Sequence, residues 1–328
     1  MRYDATRVGL AILLLAGCTD DWPEPPPIAM ETLLAEHEEW RVNREGRLVT
    51  PPGGAVLWMG LWALPQGATA FGSDETLAIV LPHEDSPAIA GTLRRTGQEV
   101  TLEPAPGSGI KLRTEDPEDE DAVIETPVRE PMILENDRSG KTTVLVLGSL
   151  GLRVHSEPGT DRLWLRAWDE DTPERETFTL PDYFPVSNRW RVNASFELYD
   201  DPAILRFPDV TGGEVEYRAP GELHFKVDGR EHSLIATAGE NSTSYFILMW
   251  DSTATVNTYQ GGRYLRVDFP DEDGWTTIDF NRAYNAPCVF TVYSVCGLPP
   301  RENWLELHVT AGEQRPEKTA RAWSEVRD

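Results

Sequence analysis

From Ala55 onward, apolar and polar residues alternate over short runs, each closed by Gly, Pro, Ser or Asp, which is the period of half-buried strands. The runs predict strands over Ala55–Trp62, Thr76–Leu81, Gly91–Arg95, Glu99–Glu103, Ile110–Arg113 and Thr142–Leu147. They continue over Leu163–Trp168, Thr177–Leu180, Arg191–Leu198, Ile204–Phe207, Glu214–Arg218 and Leu223–Val227. Tyr245–Trp250, Tyr264–Asp268, Thr276–Asp279 and Leu305–Val309 complete the set. In Leu223–Val227 the apolar residues Leu223, Phe225 and Val227 share one face, and Asp228-Gly229 supplies a two-residue hairpin turn. His224 then points away from that face, and His232 lies on the returning strand. Only Ile28–Asn43 has a helical period, with Met30, Leu33, Leu34, His37 and Trp40 on one side and Glu31, Glu36, Glu38 and Glu39 on the other. His37 reads as a residue at the edge of the core. The fold class expected is mainly β, with antiparallel strands in sandwich or barrel-like sheets and one short N-terminal helix.

The first eighteen residues follow another pattern. Arg2 and Arg7 precede an apolar run, Val8–Ala16, that is too short for a permanent membrane helix. It ends in Leu15-Ala16-Gly17-Cys18, which resembles a bacterial lipobox. That resemblance implies a signal peptide over 1–18, with Cys18 as the lipidation site and the new amino terminus acylated by chains such as palmitate. Thr19 follows the cysteine where the resemblance would put Asp for retention in the inner membrane. The expected partner is therefore the membrane, through lipidated Cys18. The expected location is the cell envelope, facing periplasm or exterior, and the outer membrane if the source is Gram-negative. Residues 19–27 (TDDWPEPPP) read as a stiff acidic tether of roughly 25–30 Å. Residues 28–148 read as the helix plus a β subdomain, 149–313 as a second β subdomain, and 314–328 as a polar tail.

Charge and cysteine usage narrow the function. The 328 residues carry 55 acidic against 30 basic side chains, a formal charge of −25, and no basic cluster that would displace counterions from a nucleic acid. Only four of the basic residues are Lys (Lys111, Lys141, Lys226, Lys318), which suits a solvated surface in saline and also plain solubility. No zinc spacing, calcium loop or phosphate loop is present, so neither a metal nor a cofactor is expected. Glu115–Asp121 reads as a solvated acidic loop. Beyond Cys18 the cysteines are Cys288 and Cys296, an even number in an oxidising compartment, which argues for a disulfide. The segment between them, VFTVYSV, has no Gly, Pro or Asn to turn the chain back, so two separate buried thiols stay open.

The densest mixture of polar, aromatic, Gly, Pro and Cys residues runs from Trp250 to Trp304. Arg263 there is a rigid donor fork suited to a carboxylate, either Asp279 or Asp251 or an acid group on a ligand. Strand parity puts Asp279 and Asn281 on one face. The resulting binding set is Thr253, Tyr259, Arg263, Tyr264, Asn281, Tyr284, Asn285 and Asn303, with Asp251 and Asp279 as catalytic candidates.

The same stretch resembles the prokaryotic family known as domain of unknown function sixteen eighty-four. The resemblance is carried by Asp251-Ser252-Thr253, Thr258-Tyr259, Gly262-Arg263-Tyr264, the run Asp279-Phe280-Asn281-Arg282-Ala283-Tyr284-Asn285-Ala286-Pro287-Cys288, and Cys296-Gly297-Leu298-Pro299-Pro300-Arg301-Glu302-Asn303. With Trp58–Trp62 and Ala70-Phe71-Gly72-Ser73 it spans roughly residues 36 to 313. Ala286 and Gly297 stand where that family more usually has Pro. The resemblance implies no activity. Three functions are then expected in turn. The first is a lipid-anchored binding protein with a small polar or carboxylate-bearing ligand in a cleft of the C-terminal half, marked by an Arg263 that has no protein carboxylate partner. The second is an extracytoplasmic hydrolase using Asp251 and Asp279, glycoside-type if the two lie about 5–10 Å apart. The third is a structural envelope module without a ligand, marked by exposed aromatics.

Overall fold

The structure, a computed structural model, describes residues 22–316. The expected signal peptide, Cys18 and residues 317–328 of the tail lie outside the described residues. The described chain is mainly β, in antiparallel sheets with one long helix near its start.

The first β unit packs two sheets face to face. One has six strands in the order Trp58–Ala63, Leu163–Asp169, Leu150–Ser156, Val144–Leu147, Lys111–Asp116 and Asp119–Pro127. The other has five, in the order Ile79–Val80, Gly67–Gly72, Gly91–Thr96, Glu99–Pro104 and Met132–Leu134. Alternation explains the layer between them. Leu150, Leu152 and Val154 on one strand and Leu163, Leu165 and Ala167 on its neighbour point inward to meet Phe71, Leu93 and Leu102. The other face of those two strands carries Arg153, His155, Trp164, Arg166 and Trp168, with Arg153 opposite Arg166 and His155 opposite Trp164. It faces the second unit instead of water.

The second unit has a sheet ordered Arg230–Ala236, Glu214–Val227, Arg191–Pro208 and Trp275–Asp279. A further sheet is ordered Tyr284–Asn285, Arg263–Asp268, Ser244–Asp251 and Trp304–Leu305. Its core joins Leu223, Phe225, Ile247, Leu265, Ile278 and Phe280. The expected hairpin forms, with Val227 paired to Arg230 and both Asp228 (φ 50°) and Gly229 (φ 75°) in the left-handed region that such a turn demands.

Several expectations are corrected. The boundary at 148/149 cuts a hairpin, because Leu147 pairs with Leu150 and the first unit runs on to Asp169. The helix is not short: it spans Met30–Val49, and it buries Leu33, His37 and Leu48 while Met30 and Leu34 stay 43% and 49% exposed. It also sits on the second unit, not the first. His37 Nε2 lies 3.0 Å from the Asn281 carbonyl, and Arg44 donates to Glu313 (2.8 Å) and to the Asn285 carbonyl (2.9 Å). Residues 22–27 are not a free spacer. The Trp22 indole donates to the Asn193 carbonyl (3.2 Å) and meets Trp275 edge-on at 5.1 Å, while Arg191 donates to the Pro26 carbonyl (2.7 Å). An extended proline run leaves its carbonyls free, and Arg191 takes one of them. The acidic run is the tip of a hairpin, Asp116 pairing with Asp119. Thr177–Leu180 forms no strand, since Glu174–Thr177 is one helical turn, and the strand expected over Leu305–Val309 is confined to Trp304–Leu305.

Candidate functional site

The polar residues between Trp250 and Trp304 are brought together, but mostly as internal fastenings. Arg263 is fully buried, and its Nη2 donates to Asp251 Oδ2 (2.8 Å) and to the Val309 carbonyl (2.9 Å). Its Nη1 donates to the Ala311 carbonyl. The other oxygen of Asp251 accepts from the Thr253 amide (2.9 Å) and hydroxyl (2.6 Å), and the Thr253 hydroxyl also meets that of Thr258 at 3.0 Å. Arg263 therefore pins the 309–313 segment to the sheet. It has a protein carboxylate partner, so the mark set for a ligand arginine is not met. The partner is Asp251 and not Asp279.

Three asparagines act alike. Asn281 exchanges hydrogen bonds with the Ser187 amide and carbonyl (both 3.0 Å). Asn285 donates its side chain to the Gln314 carbonyl (2.8 Å), and its amide donates to Glu313 (2.7 Å). Asn303 accepts from the Ile235 amide (2.7 Å) and donates to the Leu248 carbonyl (2.8 Å). Buried irregular backbone must find partners, and these amides supply them. Asp279 accepts from the Asn281 amide (3.0 Å) and lies 3.6 Å from Arg282. Asp251 and Asp279 thus serve separate networks, and no acid–base pair forms. Tyr284 lies under the Arg44 guanidinium at 4.9 Å, and burial pushes the Tyr259 phenol well up.

Cys288 and Cys296 do come together, as free buried thiols. A short 3-10 turn at Pro287–Val289 starts the return that the sequence between them did not advertise. The Cys288 amide donates to Cys296 Sγ (3.2 Å), and Ser294 Oγ lies 3.3 Å from it. Burial opposes a Cys296 thiolate, but the hydrogen bonds from Cys288 and Ser294 outweigh it and lower the thiol below its ordinary value. Cys288 is pushed up by its hydrogen bond to Cys296 and by burial.

Behind Tyr264 and Cys296 lies a cavity of about 700 Å³ between the two units. The first unit contributes Trp58, Arg138, His155, Glu157 and Arg166 to its wall; the second contributes Tyr217, Arg218, Phe246, Tyr264, Arg266 and Cys296. The Tyr264 hydroxyl donates to the Gly297 carbonyl (2.8 Å). A Cβ at Gly297 would stand 2.7 Å from the Tyr217 hydroxyl, so the missing side chain leaves that phenol its place in the wall.

Arg166 is the feature without a structural explanation. It is 3% exposed, and its guanidinium lies 3.9 Å from the Trp58 ring centroid. Its Nε has no hydrogen-bond partner, and no carboxylate of the described residues forms an ion pair with it. Burial and the facing Arg153 lower its pKa to about 9, which still leaves it a cation at neutral pH. Arg218 and Arg266 also have no ion pair among the described residues. Of the two carboxylates in the wall, Glu216 pairs with Arg206 at 3.0 Å; Glu157 lies against an Arg162 that it shares with Asp209, neither of its oxygens is hydrogen-bonded among the described residues, and burial raises its pKa. In a chain of net charge −25, the cavity is a local positive well.

His155 borders the same cavity, and its Nδ1 lies 2.7 Å from Asp137 Oδ2. A second His–Asp cluster, His83 with Ser149 and Asp169, has the imidazole turned the wrong way for catalysis. Its Nδ1 accepts the Asp85 amide (3.2 Å), so Nε2 carries the proton and cannot take one from Ser149. Among the described residues no group of three or more His, Cys, Asp and Glu is placed to hold a metal.

Tyr264, of the binding set expected from sequence, lines this cavity; Arg138, His155, Arg166, Arg218 and Arg266 were not in that set, and Cys296 was expected only as a disulfide or buried thiol. The signal was available in part: Leu150–Ser156 and Leu163–Asp169 alternate aliphatic residues with Arg, His and Trp, so one sheet has a core face and a second face that is neither core nor simply solvated.

Residues 176–314 match the family described as "Protein of unknown function (DUF1684)", a segment that contains the strands of the second unit. Among solved structures the chain is similar to an uncharacterized protein from gene locus rrnAC0354 of Haloarcula marismortui, determined by solution NMR. The identity is 35% over 44% of this chain and 80% of that one, with a TM-score of 0.37. No curated protein matches the sequence.

Proposed function

We propose that this is a lipid-anchored extracytoplasmic protein that binds a small carboxylate-bearing molecule in the arginine-lined cavity between its two β units. One observation carries the binding reading: Arg166 is a buried cation with an unpartnered Nε and no carboxylate of its own. Burying an unpaired charge is costly, and an anionic ligand would offset that cost. Arg138, Arg218 and Arg266 around the same cavity give a second acid group a partner, which favours a dicarboxylate over a monoacid. The aromatic walls, Trp58 and Phe246, suit the carbon chain between the two acids. The anchor reading rests on Leu15-Ala16-Gly17-Cys18 alone.

The test is thermal unfolding of the purified protein with adipate, with inorganic phosphate and with the neutral 1,6-hexanediol. A ligand at 100 times its dissociation constant stabilises by about 2.7 kcal/mol, which is a rise of roughly 5–10 °C. Adipate should raise the melting temperature and hexanediol should not. The Arg166→Gln variant should lose the response. If no anion stabilises the wild-type protein, the cavity is scaffold and the contact-module reading takes over, with the exposed stack of Trp304 on Trp250 as its surface.

A further inference from the structure

Resting on that binding reading, we infer that the cavity is hydrolytic: His155, oriented by Asp137, is the general base that activates water against an ester of the bound carboxylate-bearing molecule. The geometry is specific. Asp137 Oδ2 holds His155 Nδ1 at 2.7 Å, and Oδ1 of the same carboxylate accepts the Ser156 amide at 3.0 Å. An ionised carboxylate at Nδ1 fixes the tautomer with the proton on Nδ1, so the lone pair is on Nε2. Nε2, on the far side of the ring from Asp137, has no hydrogen-bond partner among the described residues. It is also no sealed orphan. His155 lines the arginine cavity and an adjoining open pocket of about 500 Å³ bounded by Asp137, Arg138 and residues 239–242, so water reaches it.

The charged groups around the ring set its protonation. Asp137 and Arg138 come from the preceding loop, Arg153 from its own strand, Arg166 from the neighbouring strand and Glu240 from the second unit. Burial lowers the His155 pKa to about 4, with Arg166 and Arg153 adding to the effect and Asp137 opposing it. The ring is therefore a neutral base throughout the physiological range. Its partner is firmly ionised: although burial opposes the charge, the hydrogen bond from His155 helps hold the Asp137 carboxyl at about 2.

In the step itself, Nε2 takes a proton from water as the water oxygen bonds to the ester carbonyl carbon. The carbonyl electrons move onto oxygen, and the nearby Arg166 cation favours that charge. Collapse of the tetrahedral intermediate breaks the bond to the alcohol oxygen, and Nε2 returns its proton to the leaving alkoxide. Ester and water become acid and alcohol, with the histidine unchanged. Neither Asp251 nor Asp279 takes part.

The experiment follows release of 4-nitrophenol from the mono-4-nitrophenyl ester of adipic acid, with 4-nitrophenyl hexanoate as the uncharged comparator of equal chain length. The wild-type protein should prefer the charged ester at least tenfold in kcat/KM. His155→Gln should lose at least 100-fold in kcat with KM within about twofold, since a general base contributes roughly 10²–10⁴. Asp137 is a positioning residue. Asp137→Asn should lower kcat and move the acid limb of the pH profile to lower pH, a shift that a merely structural role would not produce; it also serves should His155→Gln fail to fold. The wild-type limb should lie well below the 6.5 of an ordinary histidine. If adipate stabilises the protein but the ester is not turned over, or turnover survives in His155→Gln, the hydrolytic inference is overturned and the binding reading stands. If adipate does not bind and the ester is not turned over, both fall.

Discussion

Removing Arg263 separates a fastening from a ligand contact. Its guanidinium is fully buried, its ion pair with Asp251 is 2.8 Å long, and it donates to the Val309 and Ala311 carbonyls. Arg263→Ala would strand the Asp251 carboxylate, which is 2% exposed, together with those carbonyls. Breaking a buried pair from one side costs roughly 3–5 kcal/mol. At roughly 2–4 °C per kcal/mol for a domain of this size, the melting temperature should drop by about 6–20 °C. Pairing it with Asp251→Asn removes the uncompensated charge but keeps an oxygen for the Thr253 amide and hydroxyl, so the double variant should recover at least half of the loss. Circular dichroism melts of the three proteins make the comparison. If Arg263→Ala melts within about 2 °C of wild type yet abolishes adipate binding, Arg263 is a ligand residue after all and its assignment as a fastening is wrong.

Two further outcomes are expected. His155 is charged in the unfolded chain below its ordinary 6.5 but neutral in the folded one down to about 4. The unfolded state therefore binds the extra proton, and stability of about 3 kcal/mol present above pH 6.5 is lost as the pH falls toward 4. Urea melts at pH 7 and pH 4.5 should show that loss, and His155→Gln should flatten it; an equal pH dependence in the variant would refute the assignment. Cys18→Ser should move the protein from the membrane pellet to the soluble fraction after fractionation, whereas retention in the pellet would remove the lipid-anchor reading.

Local chemistry was the legible part. The Asp228-Gly229 turn, the short alternating strands and the β class followed from backbone preferences that act over a few residues. The helix was found, and Leu33 and His37 of its expected face are buried, but the continuation of that face to Leu48 was not found. Arg44, a charged residue, continues that face by reaching Glu313, and no period of apolar residues can announce a salt bridge 269 positions away. The arginine-lined cavity was not legible for a related reason. Polar density between Trp250 and Trp304 marks irregular backbone that must be hydrogen-bonded from within, and Asn281, Asn285 and Asn303 do that. Arg166 and His155 sit instead in ordinary alternating strands. They line a cavity only because the second unit, with Tyr217, Arg218 and Tyr264, covers that face of the sheet.

The most direct test of the anionic cavity is calorimetric titration of adipate into the wild-type protein and into Arg166→Gln, both at low salt. A charge-assisted contact contributes about 1.5–3 kcal/mol, so one-to-one binding that weakens at least tenfold in the variant is the predicted result. Equal affinity in the two proteins would contradict it, because the buried and unpartnered guanidinium would then have no ligand to hold.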